Sequence, residues 1–350
     1  MDILWCSSRV APGGADSCCR YISEERTAEE NENGALMFMN IDRTNILRGV
    51  DEAYELAHSG WVREGMDHLS GALWSLRRSV TTDAWRDLCK VELLNHPMRK
   101  IAHRCPIALR SFEKPRGYPG DAVTLDYIYG IYGAESPPPV DAQRAAYESR
   151  FGAPAARAVR FRRGLMAKLV RDARRENPGA RVLSVASGHL READFVFKMD
   201  EDAMPIGPWW TAFDQDEKSL EVAERSYGTR GVAIQKGSVR DAIAGRSTWG
   251  TYSLVYAAGL FDYLPQPAAI ALLARMIAST QKGGTVMIAN FAQEIPDVGY
   301  MESYMAWDLI YRSEDEMTAM VNAADKGRIE SLDISRDPDR NIIFAIMRVR

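Results

Sequence analysis

The hydrophobic pattern changes its period along the chain. Residues 1 to 35 are polar, rich in Gly, Ser and Glu, and carry no sustained period, so they are expected to form a flexible tail. From Ile41 to about Ala108 apolar positions recur at three- and four-residue steps, as in ILRGVDEAYELAHSGWVREGMDHLSGALWSLRRSV from Ile46 onward, and the spacing predicts helices. Thr82 and Asp83 are placed to cap the next one, AWRDLCKVELLNH. No strand pattern precedes residue 150. SPPPVD at 136–141 is a stiff break, and a helix is predicted from Asp141 to Arg175. Beyond residue 180 the chain alternates between short apolar runs and helical stretches. Strands are predicted at 181–187, 210–216, 231–238, 252–259, 284–291, 330–337 and 341–349. The first five are continuous apolar runs, as in a parallel sheet covered on both faces. The last two are joined by DPDRN, too short for a crossover helix, so they pair antiparallel.

The reading is therefore an α/β protein: a Rossmann-like seven-stranded sheet with a terminal antiparallel hairpin, and a helical N-terminal unit. Its expected divisions are a tail at 1–35, a helical unit at 36–140 and a nucleotide-binding-like domain at 141–350.

Composition removes several function classes. Net charge is -4 across 350 residues, so no basic excess points to nucleic acid or anionic lipid. The clusters Arg157 to Arg163 and Arg171 to Arg175 read as solvated helix faces. The five cysteines, Cys6, Cys18, Cys19, Cys89 and Cys105, form no CxxC pair, which supports neither a disulfide framework nor a zinc site. The N-terminus lacks a signal-peptide pattern and no run of eighteen apolar residues exists, so a cytoplasmic location is expected, with no membrane partner.

The candidate chemistry sits where strands end. In doubly wound sheets ligands bind beyond the carboxyl ends of the strands, where strand order reverses. RVLSVASGHLREADF (181–195) turns at Ser187-Gly188 with one glycine, where pyrophosphate sites carry three. FDQD (213–216) ends the second strand, and Asp214, beside Gln215, is placed to take two ribose hydroxyls, while Asp216 suits a helix cap. GSVRD (237–241) ends the third, offering Ser238, Val239 and Arg240 to an adenine edge. AAGLFDYLP (257–265) ends the fourth, with Ala258 and Gly259 permitting close approach and Phe261 and Tyr263 nearby.

Outside the sheet, GYPGD (117–121) is a rigid turn with Asp121 poised to cap AVTLDYIYG. Arg116, Tyr118, Asp121 and Tyr127 are candidates to line the pocket, Arg116 as a carboxylate partner and the tyrosines as a cation-binding face. Asn290 and Phe291 end the fifth strand, where a second substrate is expected. MESYMAWDLIYR (301–312) follows as an amphipathic helix offering Tyr304, Trp307 and Tyr311 as an aromatic wall. His96 and His103 read as structural, His189 as a residue behind the site, and Trp209 and Trp210 as packing.

Five parallel strands with a terminal antiparallel pair form the sheet of class I S-adenosylmethionine (SAM) dependent methyltransferases. VLSVASGHLRE, FDQDEKSL, GSVRD, YSLVYAAGLFDYLP and MESYMAWDLIYRSEDEM, with FEKPRGYPGDAVTLDYIYG (112–130), resemble a bacterial family of these enzymes that carries a helical N-terminal domain and a PRGYxGD segment. The resemblance spans roughly residues 90 to 350. It extends to enzymes making hydroxy-fatty-acid methyl esters, to proteins of natural-product gene clusters, and to a small group that cyclises SAM to azetidine-2-carboxylate. It implies SAM as cofactor, with Ser187 and Gly188 in its loop, Asp214 on the ribose, Ser238, Val239 and Arg240 at the adenine, and Ala258 and Gly259 beside the homocysteine part. His189 departs from the proline or glycine common in such loops.

The expected activity is methyl transfer from SAM to a small-molecule substrate by in-line displacement, with Tyr118, Asp121, Tyr127 and Tyr304 as the catalytic candidates. One alternative is cyclisation, in which SAM is itself the substrate and methylthioadenosine leaves. Another is a non-catalytic SAM-binding subunit. No metal is called for, and the chain is expected to act alone or as a homodimer.

Overall fold

The computed structural model describes residues 46–198 and 207–350. The expected tail at 1–35, with Cys6, Cys18 and Cys19, lies outside the described residues. Seven strands form one sheet: β1 (Val182–Val185), β2 (Trp210–Asp214), β3 (Val232–Lys236), β4 (Tyr252–Ala257), β5 (Thr280–Phe291), β6 (Ile329–Arg336) and β7 (Ile342–Val349). Their order is β3-β2-β1-β4-β5-β7-β6. The pairs β3–β2, β2–β1, β1–β4 and β4–β5 are parallel, and β7 runs antiparallel between β5 and β6. This is the Rossmann-like seven-stranded arrangement expected from the apolar runs and the short DPDRN turn. β1, central in the sheet, is buried at every residue, whereas β6, at the edge, is partly or fully exposed at every residue after Ile329. The order reverses between β1 and β4, which places a crevice at their carboxyl ends.

Among the described residues no strand precedes Val182. Helices Arg48–His58 and Val62–Ser79 pair through Val50, Ala53 and Ala57 on one and Met66, Leu69 and Leu73 on the other. Their buried side chains join those of the sheet in one continuous apolar cluster. Helix Val298–Tyr304, which follows β5, lies against Val62–Ser79 and ties the two regions together. No helix among the described residues is long and apolar enough to cross a membrane.

Three local expectations change. The cap before AWRDLC is Thr81 rather than Thr82 or Asp83: its hydroxyl accepts from the Ala84 N–H at 3.3 Å. The helix expected from Asp141 to Arg175 is two helices, Asp141–Gly152 and Pro154–Glu176, because Pro154 forces the residue before it into extended backbone and opens the second helix. The helix expected over 301–312 ends at Tyr304. Ala306 adopts φ 46°, the Trp307 N–H turns back to the Met301 carbonyl, and Arg312 forms an isolated parallel bridge with Ala292.

Candidate functional site

The carboxyl ends of β1 to β4 open into a cavity of about 620 Å³, within the range of small-molecule sites. Its floor is the turn after β1. Ala186, Gly188 and Leu190 take left-handed backbone there, with φ of 55°, 53° and 53°. Two of the three carry a Cβ, so the turn is strained and must be held by its neighbours. The Ser187 N–H bonds the Phe213 carbonyl at 3.1 Å, and the Gly188 N–H bonds the Asp214 carboxylate at 2.8 Å. A Cβ on Gly188 would sit 3.3 Å from the Ala122 Cβ, so glycine eases both the left-handed backbone and a tight approach there.

Asp214 ties three strand ends together. Its carboxylate accepts from Gly188 and, at 2.9 Å, from the Asp216 N–H, while its carbonyl accepts from Gly237 after β3. The side chain is buried on the cavity wall, and burial pushes its carboxyl above the usual range, against the pull of the backbone N–H groups. Each carboxylate oxygen has a second lone pair left for a ligand. The Ser187 hydroxyl, from another residue lining the cavity, is buried with no partner among the described residues. An acceptor carboxylate and an unsatisfied hydroxyl lining one cavity suit a ligand that carries hydroxyl groups.

The opposite wall comes from the helical region, where Tyr118, Leu125, Tyr129, Arg162 and Met166 close over the strand ends. Helix Ala122–Tyr129 begins at Asp121, whose carboxylate caps the Thr124 N–H at 2.8 Å and takes both Nε and Nη2 of Arg110 at 2.7 to 3.0 Å. Within this helix Asp126 accepts from His189 Nδ1 at 2.8 Å and from Arg191 at 2.6 and 2.7 Å. Burial alone would raise the Asp126 carboxyl, but the Arg191 and His189 hydrogen bonds hold it below the usual carboxylate range. The helix is thereby locked onto the β1 turn.

Of the residues singled out in the sequence, Tyr118, Ser187, Gly188, Asp214, Gln215, Ser238, Val239, Arg240, Ala258 and Gly259 meet around this cavity. The Ser238 hydroxyl is already committed, donating to the Asp241 carboxylate at 2.7 Å and accepting the Asp241 N–H at 3.0 Å as a helix cap.

The remaining candidates are placed elsewhere. Asp121 does not line the cavity; it is fully buried against Arg110. Arg116 stands at the rim, where Asp216 at 2.8 Å and Glu135 at 3.0 Å already neutralise it. Tyr127 packs in the helical core beneath Tyr147, whose hydroxyl bonds the Tyr127 carbonyl. Tyr304 is fully buried beside Tyr300, and its carbonyl bonds His103 at 2.9 Å.

The expected second-substrate region after β5 is filled by the chain itself. Asn290 bonds the Phe291 and Ile310 carbonyls and pairs with Arg312, whose guanidinium also bonds the Phe261 and Leu264 carbonyls. Phe291 and Trp307 face a separate void of about 40 Å³, with Trp307 Nε1 donating to the Tyr263 hydroxyl at 2.8 Å. Tyr311 is likewise outside the main cavity. His96 pairs with Asp51 at 3.0 Å, and Trp209 and Trp210 pack together as expected of core residues. Among the described residues no group of His, Cys, Asp and Glu is arranged to hold a metal.

The cavity residues not singled out beforehand include Arg162, Met166, Glu192 and Tyr256. Glu192 accepts from the Tyr256 hydroxyl at 2.5 Å, and burial pushes its carboxyl above the usual range. The signal for Arg162 lay in helix phase, since Val159, Arg162, Met166 and Val170 fall on one face at three- and four-residue steps.

Behind the wall, Asp262 is buried, accepts the Phe291 N–H at 2.6 Å, and is pushed up from its ordinary 3.8 to about 6 by burial. A carboxyl raised in the folded state binds more protons folded than unfolded. Its stabilising effect is complete below about pH 4 and is lost as pH rises through about 6. Wild type should therefore lose on the order of 3 kcal/mol between these limits that Asp262→Asn does not lose. Urea titrations of both proteins across that range check this, and parallel pH dependences would remove Asp262 as the source.

No protein-family model matches the chain, and no curated protein matches it. Solved structures are similar in shape. A protein of Bordetella parapertussis described as a possible exported protein has a TM-score of 0.55 at 18% identity, covering 76% of this chain and 95% of that one. The magnesium protoporphyrin IX methyltransferase ChlM of Synechocystis PCC 6803, with bound S-adenosylhomocysteine, gives 0.43 at 11%, covering 64% and 92%. The SAM-dependent methyltransferase SibL, in its apo form, gives 0.42 at 15%, covering 70% and 74%. At 18% identity and a TM-score of 0.55, the first likeness is one of fold.

Proposed function

We propose that the chain is a SAM-dependent methyltransferase acting on a small metabolite, with the SAM site in the cavity at the β1–β4 reversal. The observation that carries this reading is the pairing of Gly188 with Asp214. The Gly188 N–H, which a dinucleotide site would direct at a pyrophosphate, is spent on a carboxylate at 2.8 Å. Negative charge beside the turn disfavours phosphate. The same carboxylate, with lone pairs to spare and the unpartnered Ser187 hydroxyl lining the same cavity, suits the ribose of a phosphate-free adenosyl group. The antiparallel β7 beside β5 and the PRGYPGD segment over the site support the reading.

SAM bound there would supply a methyl group on a positively charged sulfur. The protein contributes position and dryness. Helix Ala122–Tyr129, locked by Asp121–Arg110 and Asp126–His189, keeps bulk water from the strand ends. Burial raises the Tyr118 and Tyr263 phenols far above their ordinary value, so both stay neutral near pH 7. They serve as walls and hydrogen-bonding groups, with ring faces suited to a cation, rather than as bases. An acceptor that is already nucleophilic, such as a carboxylate, needs no base from the protein.

The test is incubation of the purified protein with SAM and a panel of small carboxylates, amines and phenols, read by mass spectrometry. The expected result is one methylated acceptor and an equal amount of S-adenosylhomocysteine. Methylthioadenosine formed without any acceptor would replace methyl transfer by internal displacement. SAM left intact with every acceptor, and not bound, would overturn the reading.

A further inference from the structure

Arg162 is a buried cation with no anion in contact. It is 4% exposed, lies on the cavity wall, and forms no ion pair within 4 Å among the described residues; the Asp262 and Glu192 carboxyls act on it only through space. Its hydrogen bonding consists of Nη1 donating to the Ala258 carbonyl at 2.7 Å at the end of β4. Nε is buried with no hydrogen-bond partner among the described residues. The site is built to admit the group. A Cβ on Gly259 would lie 3.3 Å from Nη2, so glycine there leaves the guanidinium its place. Neighbouring arginines contrast with it: Arg163 is paired with Asp194 at 2.7 Å, and Arg116 with Asp216 and Glu135. Removing a guanidinium from water with no anion in contact is costly, and a site that keeps one in this state leaves room for an anion to reach it.

Glu192 is the complementary case. It is 5% exposed on the same wall, and the one hydrogen bond its carboxylate takes from another residue is that of the Tyr256 hydroxyl. It lies within electrostatic reach of Arg163 and Arg162, with an ion pair to neither among the described residues. A lone anion would satisfy Arg162 and repel Glu192, and a lone cation would do the reverse. A ligand carrying an ammonium and a carboxylate on the same carbon satisfies both at once, and the pair adds no net charge to the cavity.

We infer that Arg162 and Glu192 form a clamp for an α-amino carboxylate, Arg162 taking the carboxylate and Glu192 the ammonium. This rests on the SAM reading, and it assigns the pair to the methionyl end of that ligand. It also replaces Arg116, the carboxylate partner expected from the sequence, which sits in the turn before helix Ala122–Tyr129, by a residue of helix Pro154–Glu176. Arg162 and Glu192 are positioning residues here: they bind the ligand away from the atoms that react.

The test compares three ligands by calorimetry: SAM, decarboxylated SAM, which keeps the amine, and methylthioadenosine, which lacks both groups. Wild type should prefer SAM to methylthioadenosine. Arg162→Met should lose about 10- to 100-fold in SAM affinity, the span of one charge-assisted interaction, with methylthioadenosine affinity unchanged. Arg162→Lys should recover part of the loss. Glu192→Gln should weaken SAM and decarboxylated SAM together and spare methylthioadenosine. Unchanged methylthioadenosine binding also shows that the variants fold. If Arg162→Met keeps the wild-type preference, or loses all three ligands alike, the clamp is overturned while the SAM reading stands. If wild type binds none of the three, both fall.

Discussion

Arg110→Ala is expected to destabilise the protein by about 3–5 kcal/mol, the cost of leaving a buried charge without its partner. Asp121 has no solvent exposure, and three of its four hydrogen bonds come from the Arg110 guanidinium. Alanine leaves a carboxylate held by one backbone N–H inside the helical layer. The reverse change, Asp121→Asn, should cost less. Asparagine can still cap Thr124, and the Arg110 side chain, 17% exposed, can turn part of its charge toward water. The double variant Arg110→Met with Asp121→Asn should regain stability over Arg110→Ala alone, because no charge is then stranded. Thermal and urea unfolding of the set measure this. If Arg110→Ala melts with wild type, the pair is not what holds the Ala122–Tyr129 helix over the cavity. The result also separates roles for Asp121, since a helix cap is read in stability and a catalytic group in turnover at unchanged stability.

Asp214→Ala is expected to weaken SAM binding by about 10- to 100-fold, through loss of the charge-assisted hydrogen bonds its carboxylate would accept. Stability should fall as well, because the Gly188 and Asp216 N–H groups lose their acceptor. The β1 turn holds Ala186, Gly188 and Leu190 in left-handed backbone, and with Asp214 gone it is free to relax. Asp214→Asn should fall between the two, since its amide can accept from one N–H and must present its own N–H₂ toward the other. Calorimetric titration with SAM, at a temperature well below each variant's midpoint, measures the binding loss. Wild-type affinity in Asp214→Ala would remove this carboxylate from the site.

The sheet was legible because burial on both faces imposes continuous apolar runs. β1, β2 and β4 are such runs, and DPDRN is too short for anything but an antiparallel return. Asp214 and Gly188 were legible because they sit where a strand must stop. The second half of the site was hidden for a different reason. Arg157 to Arg163 reads as a charged surface, yet Arg162 and Arg163 are buried while Arg157 is exposed at the side chain. Local composition cannot separate them; the phase of Val159, Met166 and Val170 can, once the helix is known to lie across the strand ends. Arg116, Asn290, Trp307 and Tyr311 were chosen for their position after strands or turns. Their surroundings are long-range: Asp216 is 100 residues from Arg116, and the chain that fills the end of β5 is pinned by Arg312 reaching back to Phe261 and Leu264. No local pattern announces such partners.

The central claim is that this cavity binds SAM rather than a dinucleotide. Calorimetric titration of the wild-type protein with SAM and, separately, with NAD tests it most directly. The account predicts saturable binding of SAM at one site per chain and none of NAD. Binding of NAD without binding of SAM would contradict it.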